Sequence, residues 1–84
     1  MIRKFFVYAI KSSLDNRIYV GFSSNVVKRL KEHNSGKTKS TKGYRPWSLF
    51  FTEEIVGSRI DARKREKYYK SGIGKEQLKR IISK

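Results

Sequence analysis

The chain has 84 residues, 37% apolar and 33% charged, which allows one domain over residues 1–84 and no second core. It contains no cysteine. Disulfide staples, thiolate zinc sites, iron–sulfur clusters and a cysteine nucleophile are therefore excluded. Lys and Arg total 21 against 7 Asp and Glu, a formal net charge of +14. A compact body so unbalanced repels itself unless a polyanion neutralises it. Nucleic acid is the default partner, because phosphate contacts release counterions and supply most non-specific affinity. A solubility device, a ribosome- or RNA-associated protein and an anionic membrane surface are the competing readings of charge alone. No basic amphipathic helix with a broad apolar face favours the membrane. The N-terminal apolar run is too short for a signal peptide or a membrane span, and the chain reads as cytoplasmic.

In chain order, Lys4 to Ile10 reads as a strand. Phe5, Val7 and Ala9 alternate with Phe6, Tyr8 and Ile10, so both faces are apolar and the strand is expected to be central. Ser13-Leu14-Asp15-Asn16 forms a turn. Arg17 to Phe22 is a second strand, paired with the first as an antiparallel hairpin. A helix follows from Asn25 to Ser35, capped by Ser23 or Ser24 and ended by Gly36. Its apolar stripe reads Val26, Val27, Leu30 and Asn34. Lys37 to Pro46 is a long, basic connection.

Trp47 to Glu54 is the third strand. Ser58 and Asp61 form a capping box that opens a helix from Arg59 to about Ser71, stopped by Gly72, and a last helix starts at Lys75. The order β-β-α-β-α-α predicts an α/β (α+β) fold. The expected core is a three-stranded mixed sheet of order 2-1-3 flanked by helices.

The chemistry available is limited. There is one histidine, His33, so no pair of imidazoles holds a metal. The seven carboxylates are scattered, which leaves room for one carboxylate and one hydrated Mg²⁺. Glu66 is the candidate, because Ala62, Glu66, Tyr69 and Ile73 share one helical stripe expected to face inward. A buried ion pair with Arg63 or Arg29 explains Glu66 equally well. Arg29 and His33, one turn apart, share a helix face. An arginine fork grips phosphate, and an imidazole orients water or a phenol. A solvated helix face is the plainer reading of the same pair. Tyr8 and Tyr19 sit on strands, Tyr19 next to Val20-Gly21. Either is a poor base unless cations assist it, and ordinary strand packing explains each one alone.

Taken together, Val7-Tyr8-Ala9, Tyr19-Val20-Gly21, Arg29 with His33, and Glu66 resemble the GIY-YIG nuclease superfamily in order and spacing across nearly the whole chain. The likeness is to its small single-domain bacterial members, related to the catalytic module of an excision-repair nuclease. It implies a divalent-metal-dependent endonuclease hydrolysing DNA phosphodiesters, structure- or context-dependent, with roles from repair to restriction open. Tyr8, Tyr19, Arg29, His33 and Glu66 would be its catalytic residues, with Glu66 holding one Mg²⁺ or Mn²⁺. Lys28, Lys37, Lys39, Lys42 and Arg45 would grip the nucleic-acid backbone, DNA or RNA, with a larger partner protein supplying specificity. The first motif reads Val7-Tyr8-Ala9 instead of Gly-Ile-Tyr, and Phe22 stands where many members carry lysine. Lys75-Glu76-Gln77-Leu78 stands where family enzymes often carry an asparagine. A nucleic-acid-binding module that keeps the fold without chemistry is the alternative.

Overall fold

The computed structural model describes residues 4–82. The elements run β1 (Lys4–Ser12), β2 (Ile18–Ser23), α1 (Val26–Ser35), α2 (Lys39–Lys42), β3 (Trp47–Val56), α3 (Arg59–Lys70) and α4 (Gly72–Ile82). β1 is central and the strand order is β2-β1-β3. Both ladders are antiparallel, with Tyr8 opposite Gly21 on one side and opposite Thr52 on the other. The order is the expected one, but the sheet is antiparallel throughout and not mixed. β2 and β3 do run the same way, yet β1 lies between them, so no parallel pair forms.

Alternation along β1 builds two cores, one on each face. Val7 and Ala9 pack with Val20, Tyr69 and Leu78 under α3 and α4. Tyr8 and Ile10 pack with Trp47, flanked by Tyr19, Val26, Leu30 and Tyr44, on the α1 side. A strand apolar on both faces is the consequence of being covered twice.

Several local expectations need correction. The α1 cap is Asn25, whose side chain accepts from the Lys28 backbone N–H at 3.1 Å. Ser23 is spent instead on an ST-type turn, accepting from the Asn25 N–H at 3.0 Å. Gly36 ends α1 at φ 87°, in the left-handed region. The inward face of α1 is Val26, Leu30 and His33, while Val27 is exposed. Asn34 leaves the stripe to clip Trp47, donating to its carbonyl at 3.0 Å and accepting from its N–H at 2.6 Å.

The basic connection contains a one-turn helix, α2, too short to show periodicity. Ser58 and Asp61 do form the capping box. α3 ends at Ser71, whose N–H closes the last turn, and Gly72 begins α4 instead of stopping α3. The break turns Ile73 outward to 71% exposure, where a continuous stripe would have buried it. No helix among the described residues is long and apolar enough to cross a membrane.

Candidate active site

β2 is short and lies at the sheet edge, and both α1 and α3 pack against it. The two layers therefore meet around that edge, although they cover opposite faces. There they form a cleft of about 390 Å³. β1 and β2 contribute Tyr8, Tyr19, Gly21 and Phe22, α1 contributes Arg29, and α3 contributes Arg59 and Glu66. Ser23 and Ser24 complete the rim toward α1. Tyr8, Tyr19, Arg29 and Glu66, far apart in the sequence, thus line one cleft.

Gly21 makes the approach possible. A Cβ there would lie 2.6 Å from the Tyr8 hydroxyl oxygen, inside contact distance. The phenol crosses over the β2 backbone where only hydrogen leaves room. Its hydroxyl lies 2.9 Å from Nε2 of His33, and Nδ1 of His33 lies 2.9 Å from Oγ1 of Thr41. His33 and Thr41 are 0% and 1% exposed, so His33 belongs to a buried hydrogen-bonded chain. The solvated-face reading of this residue is thereby corrected. Tyr19 meets the imidazole edge-on, with ring centroids 4.9 Å apart.

Electrostatics separates the two members of the pair. Burial pushes the Tyr8 phenol above its ordinary value, against the lowering effect of the Arg29 guanidinium. Tyr8 alone therefore holds its proton. Burial, reinforced by the Arg29 charge, pushes His33 below the ordinary imidazole value of 6.5. The ring is neutral at physiological pH and its lone pair is free to accept.

Glu66 is mostly covered, with its side chain 16% exposed, and its ion pair is with Lys70 at 3.6 Å, one turn along α3. Neither Arg63 nor Arg29, the anticipated partners, pairs with it; Arg29 pairs with Glu32 at 2.9 Å. Among the described residues no three His, Asp or Glu side chains cluster as a metal cage. A lone carboxylate fronting a cleft suits one cation that keeps waters and substrate oxygens as its other ligands.

Of the basic residues, Lys42 and Arg45 line a surface hollow with Asn34, and Lys28 and Lys37 line another beside Lys31. Lys39 is exposed on α2. None of these five lines the cleft itself. Sequence reading missed Arg59, Ser23, Ser24 and Thr41. Arg59 was legible in principle, since it stands seven positions, two helical turns, before Glu66. Thr41 gave no signal, because its helix is one turn long.

Comparison with known proteins agrees with this architecture. Residues 4–79 match the family model of the GIY-YIG catalytic domain. The chain is 38% identical over 79 residues to the UPF0213 protein SH2523 of Staphylococcus haemolyticus, covering 93% of this chain and 94% of that protein. It is 41% identical over 80 residues to a UPF0213 protein of Syntrophus aciditrophicus, covering 93% and 90%. Its fold is similar to the solution NMR structure of the UPF0213 protein BH0048 from Bacillus halodurans, with a TM-score of 0.54 and 33% identity over 93% of this chain and 84% of that one. With its sheet order, its edge cleft and a domain match over nearly its full length, the chain belongs to the GIY-YIG family.

Proposed function

We propose that the protein is a metal-dependent endonuclease that hydrolyses DNA phosphodiester bonds in the β2-edge cleft. The observation that carries this reading is the convergence of Tyr8, Tyr19, Arg29 and Glu66 there, from both faces of the sheet. Glu66 would hold one Mg²⁺ or Mn²⁺. A divalent cation bound at a phosphate neutralises its charge and eases departure of the leaving oxygen.

The remaining work falls to the chain's own side chains. The attacking water gives its proton to the Tyr8 oxygen as the Tyr8 proton moves to Nε2 of His33. The proton comes to rest on the imidazole, which is neutral beforehand and has a free lone pair. This route needs no standing phenolate, which burial of Tyr8 disfavours. Arg29 offers fixed donors to the charge that grows on phosphorus-bound oxygens. Tyr19 braces the imidazole edge. Lys28, Lys37, Lys39, Lys42 and Arg45 extend a cationic surface from α1 through the following connection and contact backbone phosphates. These contacts read no bases, so cutting depends on substrate shape or on a partner that brings specificity.

One observation favours a second reading, a binding module without chemistry. Gln77, at the region where family enzymes often carry asparagine, is exposed on α4 and does not line the cleft.

Nicking of supercoiled plasmid and of branched DNA, with Mg²⁺, Mn²⁺ or EDTA, separates the two. The wild-type chain is expected to nick with metal and not with EDTA. Glu66→Ala should lose at least about a hundredfold in rate. It should keep its DNA affinity, which weakens steeply with salt in both proteins. Equal nicking by both proteins, or binding without nicking of any substrate, overturns the nuclease reading.

A further inference from the structure

Thr41 is an unusual member of a basic one-turn helix. Its neighbours Lys39, Ser40 and Lys42 are exposed, whereas Thr41 is 1% exposed and its hydroxyl is committed on two sides. Oγ1 donates to the Thr38 carbonyl at 3.2 Å and faces Nδ1 of His33 at 2.9 Å. On the other side of the ring, Nε2 faces the Tyr8 hydroxyl at 2.9 Å. The Arg29 charge near that hydroxyl acts to lower its pKa.

The Thr38 end of this chain has a fixed sense. A carbonyl only accepts. If every link is made, the protons all point one way. Tyr8 donates to Nε2, Nδ1–H to Thr41 and Thr41 to Thr38. With the opposite ring tautomer, Thr41 would have to leave Thr38 to donate to Nδ1, and Tyr8 would receive from His33 and send its own proton out of the chain into the cleft. His33 is fully buried, so bulk water does not choose between the tautomers. The Thr38 carbonyl also accepts the backbone N–H groups of Thr41 and Lys42, which makes this last link the sensitive one.

We propose that Thr41 is a positioning residue that holds His33 as its Nδ1–H tautomer and so keeps Nε2 open to the Tyr8 proton. This rests on the Tyr8–His33 proton route above and adds what sets its direction. It also gives α2 a second role. The helix that presents Lys39 and Lys42 to a phosphate backbone anchors the imidazole from behind.

The chain has one histidine, so long-range ¹H–¹⁵N spectra of uniformly labelled protein report His33 without ambiguity. The expected wild-type spectrum at neutral pH shows a protonated Nδ1 and an unprotonated Nε2. Thr41→Val, close in shape but without the hydroxyl, should move the ring toward Nε2–H. It should also slow plasmid nicking about tenfold or more, while DNA affinity at fixed salt stays within about twofold. Thr41→Ser should restore both the spectrum and the rate. A wild-type ring protonated on Nε2, or a Thr41→Val ring unchanged from wild type, overturns the proposal. Should Thr41→Val fail to fold, the wild-type and Thr41→Ser spectra still decide it. Because the spectra need no cleavage, a chain that nicks nothing would sink the nuclease reading and leave the tautomer assignment to stand or fall separately.

Discussion

Tyr8 and Tyr69 are both buried tyrosines, packed on opposite faces of one sheet, and they use their hydroxyls in opposite ways. The Tyr69 hydroxyl donates to Oε1 of Glu53 at 2.7 Å and receives Nη2 of Arg65 at 3.3 Å. Arg65 also grips Glu53 through Nε at 2.6 Å. That triad joins α3 to β3 with each charge answered by another, and Glu53 is held below the usual carboxylate range, chiefly by Arg65. Tyr8 meets a neutral imidazole instead, and its ring lines an open cleft. A phenol locked against a carboxylate has nowhere to send its proton. A phenol facing a free lone pair on one side and a cleft on the other can pass one through. The same residue type is thus a strut on one face and a proton conduit on the other, and the partner decides which.

Removing each hydroxyl in turn should have unequal effects. Tyr8→Phe takes away the conduit and leaves Nε2 of His33 without a partner. Plasmid nicking should fall by about a hundredfold or more, with a stability cost of about 1–3 kcal/mol. Tyr69→Phe should leave the nicking rate within about twofold and cost only about 1 kcal/mol in chemical denaturation. Comparable losses of cleavage from both would erase the distinction.

Gly21→Ala sharpens the geometric side. The new methyl meets the Tyr8 hydroxyl, so the ring must shift away from its present line to His33. Nicking is expected to drop about tenfold with DNA affinity retained, measured under single-turnover conditions. Unchanged cleavage would mean that the close crossing of phenol and β2 backbone has no part in the reaction.

The smallest effects are in pH dependence, and they distinguish the two faces by where they set in. His33 has a lowered folded value, so its neutral form stabilises the fold. That contribution is complete above 6.5 and is lost as pH falls below it. Glu53 also has a lowered folded value, so its contribution is present above about 4.5 and lost only at more acid pH. Denaturation midpoints should therefore soften in two stages on acidification. His33→Gln should remove the first stage, at most about 1.4 kcal/mol per pH unit for one proton, and Glu53→Gln should shrink the second, which Asp61 shares. A single acid transition in all three proteins would contradict the assignment.

How legible this was from sequence depended on the length of the pattern. β1 declared itself through its run of alternating apolar residues, and the Ser58–Asp61 box marked the start of α3. Tyr8, Tyr19, Arg29 and Glu66 were singled out by residue type and by their ordered spacing in the resemblance. Their meeting depended on tertiary geometry: the layers on the two faces join only because β2 is a short edge strand. The burial of His33 was hidden because a helix with Lys28, Lys31 and Glu32 nearby reads as solvated until its inward face is fixed by Trp47 and Tyr8. Thr41 and the Lys70 partner of Glu66 were hidden too. One-turn helices carry no periodicity, and side-chain pairing is decided by rotamers that sequence does not encode.

The most direct measurement is a double-mutant cycle on single-turnover cleavage with Tyr8→Phe, Glu66→Gln and the two combined. Residues that act as one unit give strongly non-additive losses. The double variant is expected to cleave no more slowly than the worse single one, because either change alone disables the shared cleft. Losses that simply multiply would show Tyr8 and Glu66 working independently, and would contradict a single site assembled from both faces of the sheet.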